Sequence, residues 1–226
     1  MGLLKLADTN NVNDFLKRKR GLILVKDTDN LCLPRAIVAV QARIQHYLEK
    51  SLPRNAYACI VGTKRSVADR QGCLAKNLCQ DCHVDTRLYQ SGQKKFGMDE
   101  IKIFADFLAP KYGLAVFSGL TANTKVFQTE GTCDYWINLL NLGQHYDAIS
   151  GPQGFFNRRH WCTHCNKGYS HTKKRRCRTG CKNVTTKIAS NHIGEEEVEE
   201  EEKQREEKEL VAVAARAKRA MAQPFG

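Results

Sequence analysis

The chain of 226 residues contains no apolar run of about 18 residues or more, and its N-terminus lacks the short apolar core of a signal peptide. These absences argue against a membrane partner and predict an intracellular protein, cytoplasmic or nuclear. Leu6 stands where N-myristoylation after Met1-Gly2 requires Ser or Thr, so that motif fails. Without an export signal, the ten cysteines favour thiols, metal ligands or catalysis over disulfides.

Acidic residues are missing from residues 151–192, which hold ten Lys or Arg. The net charge of +12 is therefore uneven, because residues 193–226 hold ten Glu against six Lys or Arg. Residues 195–223 also lack Gly and Pro, as a long helix requires. Composition thus predicts three segments: a folded domain over 20–150, a basic segment over 151–192, and a charged helix or linker over 193–226.

Residues 29–36, with the sequence DNLCLPRA, predict a tight turn that places a cysteine on the first turn of a helix. Asn30 tolerates the left-handed backbone that a sharp turn needs, and Pro34 suits a first helical turn. Apolar residues then recur at three- and four-residue spacing towards Lys50. Because a helix N-terminus favours thiolate over thiol, Cys32 is the candidate nucleophile.

A candidate base for this nucleophile lies far downstream, in a predicted hairpin over 136–150 with its turn at 141–143. His145 and Asp147 are two residues apart on the returning strand and therefore point to the same face. Asp147 can then orient the imidazole of His145 while that ring takes the proton from Cys32.

The remaining periodicity predicts a domain with helices first and strands later, which indicates an α+β fold with a mostly antiparallel sheet. The predicted helices cover residues 13–20, 66–83 and 99–108, and the predicted strands cover residues 21–25, 114–118 and 125–129. Cys79 and Cys82 are one helical turn apart. They are predicted to be core residues or, alternatively, a metal pair completed by Cys73 or His83.

The two motifs resemble those of the OTU (ovarian tumour) class of cysteine proteases, in which D-G-x-C is followed by x-x-R-A and a later strand carries H-Y-D or H-Y-N. The matching residues are Asp29, Cys32, Arg35, Ala36, His145, Tyr146 and Asp147. Asn30 stands at the family glycine, and Pro34 stands where an aromatic residue is common. The resemblance covers about residues 20–150.

The resemblance implies a papain-like α+β fold and a thiol protease of the deubiquitinase type. Its substrate would be ubiquitin or a ubiquitin-like protein, cleaved at the C-terminal tail. The catalytic residues it implies are Asp29, Cys32, His145 and Asp147.

The basic segment contains Cys162-x2-Cys165, followed by His171, Cys177 and Cys181. Zinc takes about four nitrogen or sulfur ligands, and a C-x-x-C knuckle supplies two of them from one tight turn. The sequence therefore predicts a structural zinc ion bound by Cys162 and Cys165. His171 with Cys177 or Cys181 would complete the site, and spacing alone does not choose between them. Unpaired thiols in a basic tail are the alternative.

The basic residues around this knuckle favour phosphate contacts, with DNA as the partner, or else form a solvated basic face. An OTU-like domain followed by a basic C-x-x-C knuckle also resembles the N-terminal region of DNA polymerases from Maverick (Polinton) type mobile elements. These residues contain no polymerase motif. The rival hypothesis is therefore a non-catalytic module of a mobile-element replication protein that binds DNA or a ubiquitin-like protein.

Overall fold

The computed structural model describes residues 16–26, 29–61, 65–119, 124–158, 160–162 and 165–169. The predicted charged helix over 193–226 lies outside these residues. Of the predicted helix over 13–20, Leu16 and Lys17 are helical, and the residues before them are outside the described part. In the ranges just given, no helix is both long enough and apolar enough to cross a membrane.

The helices of the described chain include the two that periodicity predicted after the candidate nucleophile. Their bounds are α1 Cys32–Tyr47, α2 Arg54–Val61, α3 Arg65–Asp81, α4 Thr86–Gln90, α5 Met98–Leu108 and α6 Pro152–Phe155. The predicted helices at 66–83 and 99–108 correspond to α3 and α5 and are confirmed. α1 begins at Cys32 as predicted and ends at Tyr47, short of Lys50.

The strands form one five-stranded sheet and one small hairpin. Their bounds are β1 Leu22–Ile23, β2 Tyr112–Ser118, β3 Thr124–Gln128, β4 Tyr135–Leu142, β5 His145–Ile149, β6 His160–Cys162 and β7 Lys167–Tyr169. The sheet order is β1-β5-β4-β2-β3, and only the β2–β4 pair within it is parallel. The mostly antiparallel α+β arrangement is therefore confirmed. The predicted strand over 21–25 shortens to two residues.

Hydrophobic side chains cover both faces of the sheet, and eleven of the sixteen residues of α1 are buried. One core contains residues of α1, α3 and α5 together with strand residues such as Leu114 and Ile137. Leu33, Ile37 and Ala39 of α1 have no exposed surface. A helix buried on this scale is fixed by packing on several sides, so its first residue is held at a defined place against the sheet.

The described part of the basic segment packs on the opposite face of the sheet. Phe155 belongs to the second core with Leu140 of β4, and the ring of Phe156 stacks on Trp161 at 4.8 Å between centroids. The side chain of Asn166 also donates to Asn138 on β4. Phe155 and Phe156, which follow the domain boundary predicted at residue 150, therefore share a hydrophobic core with the sheet, and Trp161 packs on Phe156.

The turn of the β4–β5 hairpin lies at Gly143–Gln144, one residue later than predicted. Leu142 pairs with His145, and φ is +66° at Gly143 and +102° at Gln144. Two central residues with positive φ are the mark of a type I′ turn, which prefers glycine in such positions. Gln144 carries a Cβ in a region that costs of order 1–3 kcal/mol for residues other than glycine.

Relief of this strain should be measurable as a gain in stability. We expect Gln144→Gly to raise the free energy of unfolding by about 1 kcal/mol, the strain outweighing the added entropy of the unfolded chain. Urea denaturation of both proteins measures the difference. Gln128→Gly, placed in strand β3, is the control and should destabilise. A Gln144→Gly protein less stable than the wild type would contradict the assignment of strain.

Candidate active site

The turn before α1 has the backbone that its sequence predicts. Asn30 has φ +58°, in the left-handed region that asparagine tolerates. The N–H of Leu31 donates to Oδ1 of Asp29 at 3.3 Å, and α1 begins at the next residue, Cys32. The thiol is thus placed on the first helical turn, where backbone N–H groups have no partners within the helix.

A buried ion pair beneath this turn fixes its geometry. Arg35 is 3% exposed, and its Nε and Nη2 donate to Oδ1 and Oδ2 of Asp29 at 3.0 and 2.7 Å. Its Nη1 donates to the carbonyl of Ala68 on α3. Gly72 allows this approach, because a Cβ there would lie 2.6 Å from Arg35 Nη2. Asp29 was predicted as a catalytic residue. In the structure its carboxylate pairs with Arg35 and neutralises the charge of that guanidinium.

The other predicted catalytic residues come together at the start of β5. Nε2 of His145 lies 3.2 Å from Oδ1 of Asp147, which is 2% exposed. The same oxygen accepts the backbone N–H of Val25 at 2.8 Å. Cys32 lies near enough to the His145 ring to raise its pKa, and Cys32 Sγ donates to the carbonyl oxygen of Gln144 at 3.7 Å. Three of the predicted catalytic residues, Cys32, His145 and Asp147, therefore lie close together.

These contacts control the charge of His145. Its hydrogen bonds to Asp147 and to Cys32 outweigh the opposing effect of burial and raise its pKa from 6.5 to about 10. At neutral pH the ring is therefore an imidazolium held between a carboxylate and a sulfur.

Other cysteines of the domain have a different environment. Burial raises the pKa of Cys79 to about 12 and that of Cys82 to about 11, so both are thiols at neutral pH. Their burial confirms that they are core residues of α3 and the turn after it. Within the described residues there is no group of three or more His, Cys, Asp or Glu placed to hold a metal. The alternative of a metal pair with Cys73 or His83 gains no support.

Two of the five predicted zinc ligands lie within the described residues, and three lie outside them. Cys162 ends β6 and Cys165 lies in the turn that leads to β7. His171, Cys177 and Cys181 lie outside the described residues. Asn166 anchors the turn from within, because its side chain accepts from Trp161 Nε1 at 2.9 Å and is 1% exposed.

Sequence reasoning missed the residues that support the catalytic group through backbone or long-range contacts. Val25 contributes only its N–H, and Gln144 only its carbonyl, so neither side chain carries a signal. Tyr146 matched the histidine motif, but its contact with the carbonyl of Phe96 was not foreseen. A cavity of about 380 Å³ lies beside β1 and is lined by neither Cys32 nor His145.

Comparison of the chain with protein-family models, with curated proteins and with solved structures found no match. The function of the site must therefore be argued from its own geometry.

The raised pKa of His145 makes its contribution to stability depend on pH. A group whose folded-state pKa of about 10 exceeds its ordinary 6.5 stabilises fully below the lower value. The contribution is lost as pH rises through the higher value. We expect the unfolding free energy of the wild type relative to His145→Gln to be largest near pH 6 and to shrink towards pH 10. Urea denaturation across this range tests it, and a pH-independent difference would contradict the pairing.

Proposed function

We propose that the protein is an OTU-like cysteine peptidase that cleaves ubiquitin or ubiquitin-like conjugates. The observation that supports this most strongly is that His145, hydrogen-bonded to Asp147, lies beside Cys32, with the cysteine at a helix start. Each member has the chemistry that its place requires: a nucleophile, a base and a buried acceptor that fixes the ring. The OTU class and its ubiquitin substrate come from the sequence resemblance.

In the proposed reaction the thiolate of Cys32 attacks the carbonyl carbon of the scissile bond. The imidazolium of His145 then gives its proton to the leaving amine, and an acyl-enzyme thioester remains. His145, now neutral, takes a proton from the water that attacks the thioester, and cleavage of the carbon–sulfur bond releases the carboxylic acid and restores the thiolate of Cys32 beside the imidazolium. Backbone N–H groups at the start of α1 are suited to stabilise the oxyanion formed in both steps. Asp147 keeps the ring in position throughout.

Labelling with a ubiquitin whose C-terminus carries an electrophile tests this function. We expect a covalent adduct on Cys32, located by mass spectrometry, and none with Cys32→Ala. Asp147→Leu should slow labelling by about a hundredfold or more, because the base loses its orienting group. Asp147→Asn should slow it by less than about tenfold, since the amide oxygen still accepts from His145 and from Val25.

The rival function, a non-catalytic binding module for DNA, also has some support. Burial and the charge of Lys167 lower the pKa of Lys125, so two cations lie close together beside the β6–β7 hairpin. Such a pair suits a phosphate. A wild type that binds DNA with steep salt dependence but forms no adduct with the probe would favour this rival. An adduct on Cys59, which is exposed, at the rate of Cys32 would also count against the peptidase.

We further propose a structural zinc ion held by Cys162 and Cys165, with His171, Cys177 and Cys181 as the source of the remaining ligands. The fit rests on donor chemistry, because two thiolates from one short turn are half of a tetrahedral zinc site. Strands β6 and β7, which pair antiparallel, carry the chain to and from this pair of cysteines. Bound there, zinc would tie the hairpin to the chain that follows it.

Metal analysis of the full chain should find about one zinc per molecule. Cys162→Ser and Cys165→Ser should each lose it, since a missing thiolate weakens the whole site. Cys59→Ser and Cys73→Ser, which change exposed cysteines elsewhere, are the controls and should keep it. Zinc retained by Cys162→Ser, or absent from the wild type, would end the proposal.

A further inference from the structure

Residues 89–100 run from the end of α4 through the connection 91–97 into the first turn of α5, and they surround one buried carboxylate; this segment is called the 89–100 loop below. Glu100 is the third residue of α5 and is 3% exposed. Its Oε1 accepts from the hydroxyl of Tyr89 at 2.8 Å and lies 2.6 Å from Nζ of Lys94. Its Oε2 accepts the N–H of Gly97 at 2.7 Å. Burial opposes ionisation, but hydrogen bonds from Lys94 and Gly97 outweigh it and lower the pKa of Glu100 to about 2.

This loop lies beside the turn before Cys32 and contacts Tyr146, the residue after His145. A Cβ on Gly92 would lie 4.0 Å from the side-chain nitrogen of Asn30, which belongs to the turn before the nucleophile. The carbonyl of Phe96 accepts the hydroxyl of Tyr146, the residue after the base, at 3.5 Å. The rings of Tyr89 and Phe96 stack at 4.1 Å, which joins the two ends of the loop. A shift of the loop would therefore change the surroundings of both the turn before Cys32 and the strand that carries His145.

Glu100 acts on the site only through the loop. Tyr146 is 3% exposed, and burial raises its pKa. Coulombic interactions with Cys32 and with Glu100 also raise the pKa of Tyr146. Its phenol therefore lies near both groups. The rim of the loop, residues 91–95, is exposed. The loop therefore has an anchored inner part, held by Glu100, and an exposed rim close to the turn before Cys32. Such a loop is suited to contact a substrate.

On the basis of the proposed peptidase function, we propose that the 89–100 loop binds the extended peptide tail on the acyl side of the scissile bond. Glu100 is the positioning residue that holds the loop for this purpose. The loop is placed on the acyl side because it lies beside the turn that presents Cys32, to which the acyl carbon must come.

Two electrophiles separate substrate binding from the chemistry of the cysteine. Iodoacetamide is small and needs no tail, whereas the ubiquitin probe presents one. We expect Glu100→Gln to slow labelling of Cys32 by the probe about tenfold or more, because the loop loses its anchor. Labelling by iodoacetamide should stay within about twofold, since Glu100 touches neither Cys32 nor His145 directly. With a cleavable ubiquitin substrate, KM should rise while kcat changes little.

A second carboxylate in the chain provides a matched control. Glu49 lies 2.9 Å from Nζ of Lys111 and accepts from the hydroxyl of Tyr112 at 3.0 Å. Like Glu100, it is therefore held by one lysine and one tyrosine. It follows the far end of α1, a helix roughly 24 Å long that begins at Cys32. Glu49→Gln should therefore leave both labelling rates unchanged.

The outcomes distinguish the two proposals. Parallel loss of both labelling rates in Glu100→Gln, or no change in the probe rate, overturns the role of the loop and leaves the peptidase intact. A wild type that reacts with iodoacetamide at Cys32 but not with the probe overturns both. If thermal melting shows that Glu100→Gln is unfolded, Lys94→Met replaces it. That change removes the ion pair at a half-exposed site and should slow the probe selectively, by about threefold; equal rates with the wild type would again overturn the role of the loop.

Discussion

One buried carboxylate oxygen connects the parts of the candidate active site. Oδ1 of Asp147 accepts both the backbone N–H of Val25 and the imidazole of His145, at 2.8 and 3.2 Å. The first contact joins the chain after β1 to β5. It extends the attachment of β1, which pairs with β5 over only two residues. The second fixes the ring that meets Cys32. A nonpolar residue at 147 would leave a buried N–H without its acceptor and the ring without its guide, so stability and chemistry depend on the same atom.

The turn before Cys32 depends on a second carboxylate, that of Asp29, which is partly exposed. Arg35 and Asp29 form a two-bond ion pair beneath the turn, and Gly72 on α3 makes room for the guanidinium. Removal of one partner would leave a buried charge unpaired, which typically costs about 3–5 kcal/mol. The pair that the OTU resemblance lists with the catalytic motif therefore holds the turn in shape and presents Cys32 to the base.

Local patterns in the sequence predicted the turn and the helix start that place Cys32, but they could not predict contacts between distant parts of the chain. The left-handed Asn30 and the helix start at Cys32 follow from residues within a few positions of each other. The N–H that Val25 gives to Asp147 joins residues 122 apart and depends on the register of β1 against β5. Charge composition also suggested a boundary at 150. Phe155 and Phe156 follow this boundary and yet pack in the same core as the sheet. Packing depends on the shape and burial of side chains, which charge composition does not describe.

The most direct test of this account is an NMR titration of the His145 ring in the full chain. The account predicts a pKa of about 10, well above the ordinary 6.5, because the ring lies between Asp147 and Cys32. Cys32→Ala should lower it, and Asp147→Leu should lower it further, since Asp147 makes the larger contribution. A ring that titrates near 6.5 in the wild type and is unaffected by Cys32→Ala would contradict the account, because base and nucleophile would then be uncoupled.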